Sequence, residues 1–288
     1  MKKNCLLCFL LFFSCHSALA GESLDSLLNV LDKTIKEADT YVQIKENKLH
    51  ELKKEARKTP PFSVERYNLN NDIYLEYKAY SSDSALHYLN ENMLLARQLN
   101  DKERELKIQL ELSYLLSSIG MYMEAADILN SIDRQTLPSS LLGHYYTCYE
   151  HVYFEAGAAQ PRYKMFASRY AKLSHAYRDS MQVTLDPSSA TYLWLRETQL
   201  REAGKYDEAL EFSDRRLAES SFGTPQYALV AYQRFRLFES MGKKDEHLYY
   251  LVLSAISDVR SAIKEQSSLM VLAQELNSKG DLKRAYDY

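Results

Sequence analysis

The sequence predicts an all-α protein, a right-handed superhelical solenoid of antiparallel helix pairs with about five complete hairpins and a partial sixth. The first reason is composition, because 8 Gly and 6 Pro among 288 residues are few, while Leu, Ala, Glu and Lys, which favour helix, are frequent. The second is a repeated turn: glycines at positions 120, 204, 242 and 280 each separate two helix-forming runs. The last two steps are both 38 residues, and a fixed period of this size is typical of helical-hairpin solenoids.

The first twenty residues have the pattern of a secretory signal peptide. Lys2 and Lys3 precede the apolar run "LLCFLLFF", and the small-x-small sequence "ALA" ends directly before Gly21. We therefore interpret residues 1–20 as a signal peptide and expect an exported, periplasmic protein. The alternative is a lipoprotein anchored through Cys15.

Cysteine content and charge exclude several classes of protein. Three of the four cysteines lie in the leader, so the remaining chain has only Cys148 and cannot form an intrachain disulfide. The formal net charge is −3 and becomes −5 without the two leader lysines, which argues against a nucleic-acid-binding surface. After residue 20 there is no apolar run long enough to span a membrane.

Residues 21–58 are predicted to form one long amphipathic helix, because apolar residues recur at helical spacing between Lys and Glu. Its second half, residues 45–58, alternates in charge; we interpret it as a solvated face, with an interaction arm as the alternative. The sequence "TPPF" at 59–62 ends this helix, since proline cannot continue it. Ser63 can cap the next helix, and the solenoid is predicted over residues 63–288.

In the clearest predicted hairpins a glycine ends the first helix in a left-handed conformation and a small residue follows five positions later. The first unit has Tyr80 in place of the glycine and Ala85 in the small position. The small residues Ala125, Ala209 and Ala285 should let the second helix approach the first closely. His247 occupies that position in the fifth unit, which puts close packing there in doubt. The third unit is expected to turn at Gly157. The units are 66–100, 106–136, 143–183, 190–223 and 228–258, followed by a sixth that stops inside its second helix, so we expect a truncated C-terminal end.

The sequence resembles known families in two respects, in its individual repeats and in its overall layout. "IGMYMEAADIL" (119–129) and "AGKYDEALEF" (203–212) resemble the tetratricopeptide repeat, whose signature is this Gly, aromatic, Ala run. The leader, "SLLNVLDKTIKEADTYVQIKENKLHELKKEAR" and "LNNDIYLEYKAYSSDSALHYLNENMLLARQL" resemble a family of Bacteroidetes transcriptional regulators. That family carries exported repeats before a membrane helix, a coiled coil and a cytosolic DNA-binding segment. The resemblance implies that this chain is the extracytoplasmic sensor half, touching the membrane only through a segment beyond Tyr288.

In tetratricopeptide repeats the first helices of the hairpins line a concave groove, and carrying that over gives the candidate binding residues. Aromatic residues and Arg among them are the usual anchors of interfaces. For Trp194 the alternative is burial between helices, because a shift of one residue in register would turn it inward. The candidates are Tyr114 and Ser118; His144, Thr147 and His151; Trp194, Thr198 and Arg201; and Tyr232, Arg236 and Glu239.

Catalytic and metal chemistry have little support in the sequence. His144, Cys148 and His151 fall on one helix face, and with Glu155 they could hold zinc, but the paired ligands typical of zinc sites are lacking. No nucleophile elbow, phosphate loop or dinucleotide fingerprint occurs, so we predict no metal, no cofactor and no enzymatic activity. The favoured function is binding of a protein or peptide segment. The alternatives are a free periplasmic assembly scaffold or chaperone-like adaptor, and a glycan or small-molecule sensor.

Overall fold

The computed structural model describes residues 23–160, 162–264 and 267–288, so the signal peptide predicted over residues 1–20 lies outside the described residues. Within the described residues the chain is helical and contains no strand, which confirms the predicted all-α class. The helices are α1 (Leu24–Lys36), α2 (Ala38–Lys58), α3 (Val64–Tyr77), α4 (Ser82–Gln98), α5 (Lys102–Ser118), α6 (Tyr122–Ser131), α7 (Ser139–Ala158), α8 (Lys164–Thr184), α9 (Ala190–Glu202), α10 (Tyr206–Ala218), α11 (Pro225–Ser240), α12 (Lys244–Arg260), α13 (Ser267–Lys279) and α14 (Leu282–Asp287).

Helices α3 to α12 pair consecutively into five antiparallel hairpins, and α13 and α14 form a shorter sixth. The first of these hairpins begins where the sequence predicts, because the Ser63 hydroxyl accepts a hydrogen bond from the Arg66 amide at 3.1 Å. The number of hairpins and their order along the chain therefore agree with the expected solenoid.

The glycine turns are helix caps of one type. Gly204 has φ of +71°, its amide donates to the Arg201 carbonyl at 3.1 Å, and the Lys205 amide donates to the Leu200 carbonyl at 2.9 Å. This pair of bonds is the Schellman motif, which satisfies carbonyls that a helix end leaves free. Glycines 120, 242 and 280 have φ of +88°, +71° and +86° and repeat the same bonds. The turn around Gly204 is thus a structural cap.

The position five residues after the turn glycine is buried in the second, fourth and fifth hairpins, whereas Ala285 in the sixth is half-buried. Ala125 and Ala209 are fully buried there. His247 is also buried at this position, with its ring 5.6 Å from that of Phe235, so the larger side chain is accommodated within the packed fifth hairpin. Its Nε2 lies 3.7 Å from a carboxylate oxygen of Glu275 in the sixth.

The third hairpin departs from the predicted turn. Helix α7 continues through Gly157 and ends at Ala158, and α8 begins at Lys164. A Cβ at Gly157 would lie 3.4 Å from Cβ of Tyr170. Gly157 therefore lies at a close contact between α7 and α8, and its prediction as a turn residue was wrong.

The N-terminal segment also differs from the sequence prediction. The single helix expected over residues 21–58 is two helices, because Glu37 leaves the helical conformation (φ −95°, ψ 8°) between α1 and α2. Leu27, Leu28 and Leu31 of α1 are buried in the core formed with α11, α12 and α13, whereas Leu49 of α2 is buried with α3, α4 and α5. Helix α2 contacts both cores, because its Ala38 and Tyr41 also pack against the core that buries α1.

As a result, the two ends of the solenoid are joined. Asp32 of α1 accepts hydrogen bonds from Arg284 at 3.3 Å and from the Tyr288 hydroxyl at 2.5 Å. The Lys264 amide after α12 also donates to the Ala79 carbonyl in the first hairpin at 3.4 Å. In an open solenoid each repeat contacts only its neighbours, so α1 and α2 act as a clasp that fixes the ends relative to each other.

Candidate binding face

The centre of the candidate face is a partly buried carboxylate shared by three helices. Glu111 of α5 accepts a hydrogen bond from the Tyr74 hydroxyl at 2.6 Å and one from the Lys78 ammonium at 3.1 Å. His144 Nε2 of α7 lies 3.7 Å from its other oxygen. Burial opposes ionisation of Glu111, but Lys78, His144 and the Tyr74 hydroxyl hold its pKa below the usual value. Glu111 therefore remains charged and positions side chains from α3, α5 and α7.

An aromatic pair continues this arrangement along α5 and α7. The rings of Tyr114 and His151 stack with centroids 3.9 Å apart, and His151 Nε2 lies 3.0 Å from the exposed Ser118 hydroxyl. The Lys78 ammonium lies 4.5 Å from the Tyr114 ring centroid, within cation–π range. Four predicted residues, Tyr114, Ser118, His144 and His151, are thus brought together with Lys78 and Glu111. We call these six residues the first-helix patch.

The first-helix patch has no net charge at neutral pH. Burial lowers the pKa of both histidines, to about 4 for His151, so their imidazoles are neutral. The Lys78 ammonium and the Glu111 carboxylate compensate each other at 3.1 Å. What remains for a ligand is an aromatic ring, two imidazoles, a hydroxyl and a partly exposed ammonium. This chemistry suits hydrogen bonding and stacking with a polar ligand.

Cys148 takes no part in that surface. It is fully buried and its thiol donates to the Leu110 carbonyl, with sulfur and oxygen 3.4 Å apart. Burial raises its pKa well above the usual value, which disfavours the thiolate needed for nucleophilic chemistry or metal binding. In the parts of the chain that the structure describes, no cluster of three or more His, Cys, Asp or Glu side chains could hold a metal ion.

Thr147 contributes little to the face. It is partly buried, and its hydroxyl donates to the Gly143 carbonyl of its own helix at 2.8 Å. This bond is the common way for a threonine within a helix to satisfy its hydroxyl. Thr147 therefore borders the patch without an available donor.

The fourth hairpin places its predicted residues mostly inward. Trp194 is partly buried and packs against the core of the second and third hairpins, with the Arg178 guanidinium 6.0 Å from its ring centroid. Thr198 is buried, with 8% of its surface exposed, so its prediction as a groove residue was wrong. Arg201 is half-buried at the end of α9. The physical reason is register: the face of α9 carrying Thr198 packs against neighbouring helices.

The fifth hairpin retains a small polar surface. Arg236 and Glu239 are exposed and form an ion pair at 3.1 Å. Tyr232 is half-buried, with its ring 5.4 Å from that of Phe235, and it packs against the same core that buries Leu31 of the clasp. Tyr232 therefore contributes to stability as well as to any surface.

The comparison with protein families identifies the fold. The chain matches the family described as the SusR N-terminal TPR domain over residues 35–288. It belongs to that family. No curated protein and no solved structure matches the chain. TPR domains generally mediate protein–protein interactions and are generally non-catalytic, which agrees with a packed helical scaffold presenting polar side chains.

Within the TPR fold, sequence reasoning missed the residues at the centre of the patch. Tyr74 and Lys78 belong to the first hairpin. Because that hairpin lacks a turn glycine, the sequence did not indicate which residues of α3 would face the groove. Glu111 lies one helical turn before Tyr114, and that spacing, i and i+3 on one face, is a signal that could have indicated it. The pairing of Glu111 with Lys78 could not be read from either helix alone.

Proposed function

We propose that this TPR domain binds a polar protein or peptide segment at the first-helix patch. The observation that carries the proposal is the cross-helix arrangement of Lys78, Glu111, Tyr114 and His151, which is held by hydrogen bonds and stacking while Ser118 remains exposed. A preorganised surface binds with less loss of side-chain freedom than a flexible one. The neutral imidazoles and the compensated ion pair favour an uncharged polar segment over a strongly charged one.

We further propose that the domain is exported and forms the sensor half of a membrane-tethered transcriptional regulator. The support is the leader over residues 1–20 and the family of the repeats. Among the described residues no helix is long and apolar enough to cross a membrane. In this proposal the tether is a segment following Tyr288, and the reading frame there should encode about twenty consecutive apolar residues. A stop codon after one further helix would instead favour a free periplasmic scaffold.

Binding at the first-helix patch can be tested by crosslinking in cells. A photoreactive phenylalanine at Ser118 should give a defined adduct with a peptide or protein. The same residue at Val183, which is 82% exposed on α8, is the matched control and should give none. A saccharide adduct at position 118 would contradict the proposed ligand class, and equal labelling at both positions would contradict the proposed site.

A functional test uses His151→Phe, which keeps a ring for stacking on Tyr114 and removes the hydrogen-bonding imidazole. In the full-length protein this variant should lose adduct formation at position 118 and weaken the transcriptional response. Arg236→Ala, in the exposed pair of the fifth hairpin, is the control for a surface change outside the first-helix patch. If the His151 variant is folded and signals normally, the patch is not the binding site.

A further inference from the structure

The tip of the third hairpin has a composition unlike the rest of the chain. Between residues 156 and 177 there is no acidic residue, although the whole chain has a net charge of −3. Four basic residues in this stretch are exposed, and none forms an ion pair with another described residue. They are Arg162, Lys164, Arg169 and Lys172. Along the sequence, the nearest acidic residues are Glu155, before this stretch on α7, and Asp179, after it on α8.

Large apolar side chains stand exposed at the same tip. Tyr163 is 64% exposed, Met165 is 74% and Phe166 is 40%. Isolated exposed apolar residues need no explanation, but a contiguous group marks an interaction surface. We call these three apolar residues and the four basic residues the third-hairpin tip.

Local backbone hydrogen bonds connect described residues of the tip. The Tyr163 amide donates to the Gln160 carbonyl at 3.1 Å, and the Phe166 amide donates to the Tyr163 carbonyl at 2.9 Å. Met165, Arg169 and Lys172 recur at spacings of four and three, which places them along one side of α8. Tyr163, Met165 and Phe166 therefore lie at the start of α8, and Arg169 and Lys172 follow on the same side of that helix as Met165.

We propose that the third-hairpin tip docks onto an anionic lipid surface. Aromatic and Met side chains at an extremity can enter the headgroup region, while neighbouring Lys and Arg attract anionic lipids. Their long aliphatic stems also allow the charges to stay at the interface while the apolar part is buried. A projecting tip fits a deformable, nearly flat surface, whereas an acidic protein partner would require a complementary cavity for Tyr163 and Met165.

This contact differs from the tether expected beyond residue 288, and it does not depend on the first-helix patch. Four basic residues and a few apolar side chains give reversible binding that requires anionic lipid. In a tethered protein it would orient the solenoid relative to the bilayer, with the third hairpin facing the lipid.

The test is cosedimentation of the chain from Gly21 onward, which contains every described helix, with lipid vesicles. The vesicles contain either phosphatidylcholine alone or phosphatidylcholine with about a third phosphatidylglycerol. The expected result is binding to the anionic vesicles only, weakened by salt. Lys164→Gln with Arg169→Gln should lower the partition coefficient by about thirtyfold. Tyr163→Ser with Met165→Ser should also weaken binding.

The matched control is Arg57→Gln with Lys58→Gln, which removes two exposed basic residues from the end of α2 and makes the same change in net charge. It should leave binding nearly unchanged. Met165→Trp adds a reporter of insertion, and its fluorescence should shift to the blue on anionic vesicles. Circular dichroism establishes that each variant is folded.

Three results would overturn the proposal. The first is absence of binding to anionic vesicles at low salt. The second is equal weakening by the control pair, which would indicate a non-specific charge effect. The third is binding that persists in Tyr163→Ser with Met165→Ser and gives no shift for Met165→Trp, since that would indicate attraction to any polyanion, including an acidic protein.

Discussion

The buried imidazole of His151 should make the stability of this protein sensitive to mild acid. Burial, with a smaller contribution from Lys78, lowers the pKa of His151 to about 4 in the folded protein. Glu155 lies 4.0 Å from Nδ1 of His151, too far for a hydrogen bond that would offset burial. In the unfolded chain a histidine has a pKa of about 6.5, so below that pH the unfolded state binds more protons than the folded state.

The direction and the size of this change in the free energy of unfolding follow from proton linkage. Because the folded pKa is depressed, the contribution of His151 is fully present above about pH 6.5 and is lost as pH falls toward about 4. At about pH 5 the lost free energy of unfolding is about 2 kcal/mol, since the slope is about 1.4 kcal/mol per pH unit for one proton. That is a substantial part of the stability of an ordinary domain.

The assay compares urea unfolding at about pH 7.5 and pH 5 in the wild-type protein and in His151→Phe, which keeps the stack and cannot titrate. The wild-type protein should lose about 2 kcal/mol more than the variant. Comparing the two removes the contributions of other titrating groups, such as Asp258, whose pKa burial raises to about 6. Ser118→Ala removes the hydrogen-bond partner and keeps the imidazole, so it should retain the wild-type pH dependence. Equal losses in the wild-type protein and His151→Phe would refute the buried, neutral histidine.

Five further substitutions test the fold and the fifth hairpin by thermal or urea unfolding. Gly204→Val should cost more than about 1 kcal/mol, because a β-branched residue is strained at positive φ, and Ala209→Leu should cost more through overpacking; neutral melts would contradict the capped hairpin. Leu31→Ala should cost about 2–5 kcal/mol, since Leu31 is fully buried in the clasp, and an unchanged melt would mean that α1 is detached. Tyr232→Ala should destabilise by about 1 kcal/mol or more through lost packing, and Arg236→Ala by less than about 0.5 kcal/mol; reversal of that order would place Tyr232 outside the core.

The glycine turns show what local chemistry can predict. A left-handed residue at the end of a helix is a requirement of the backbone at that point, and glycine meets it without a steric cost. The four turns at Gly120, Gly204, Gly242 and Gly280 were therefore predictable one at a time. The role of Gly157 was not predictable in this way, because it depends on a neighbouring helix. A glycine at this position allows Tyr170 of α8 to approach α7 closely.

The candidate site was only partly predictable. Helical spacing from the turns indicates which residues share a face, and this was sufficient to nominate Tyr114, Ser118, His144 and His151. Helical spacing does not indicate how much of each helix face is buried by neighbouring helices. Thr198 was therefore predicted to lie on the surface, although it is buried. The central carboxylate of Glu111 and its partner Lys78 come from different hairpins, and their contact depends on how those hairpins stack.

The sequence by itself determined the helical class, the hairpin period and the capped turns, because these depend on backbone preferences and on spacing within a few residues. Only the tertiary structure decided that the N-terminal segment is interrupted at Glu37, where nothing in the local sequence breaks a helix. Helix α1 buries leucines with the last hairpins, while α2 packs Ala38 and Tyr41 against that core and buries Leu49 with the first hairpins. These contacts join segments far apart in the sequence, and the burial of apolar surface that stabilises both helices is therefore defined only in the folded chain.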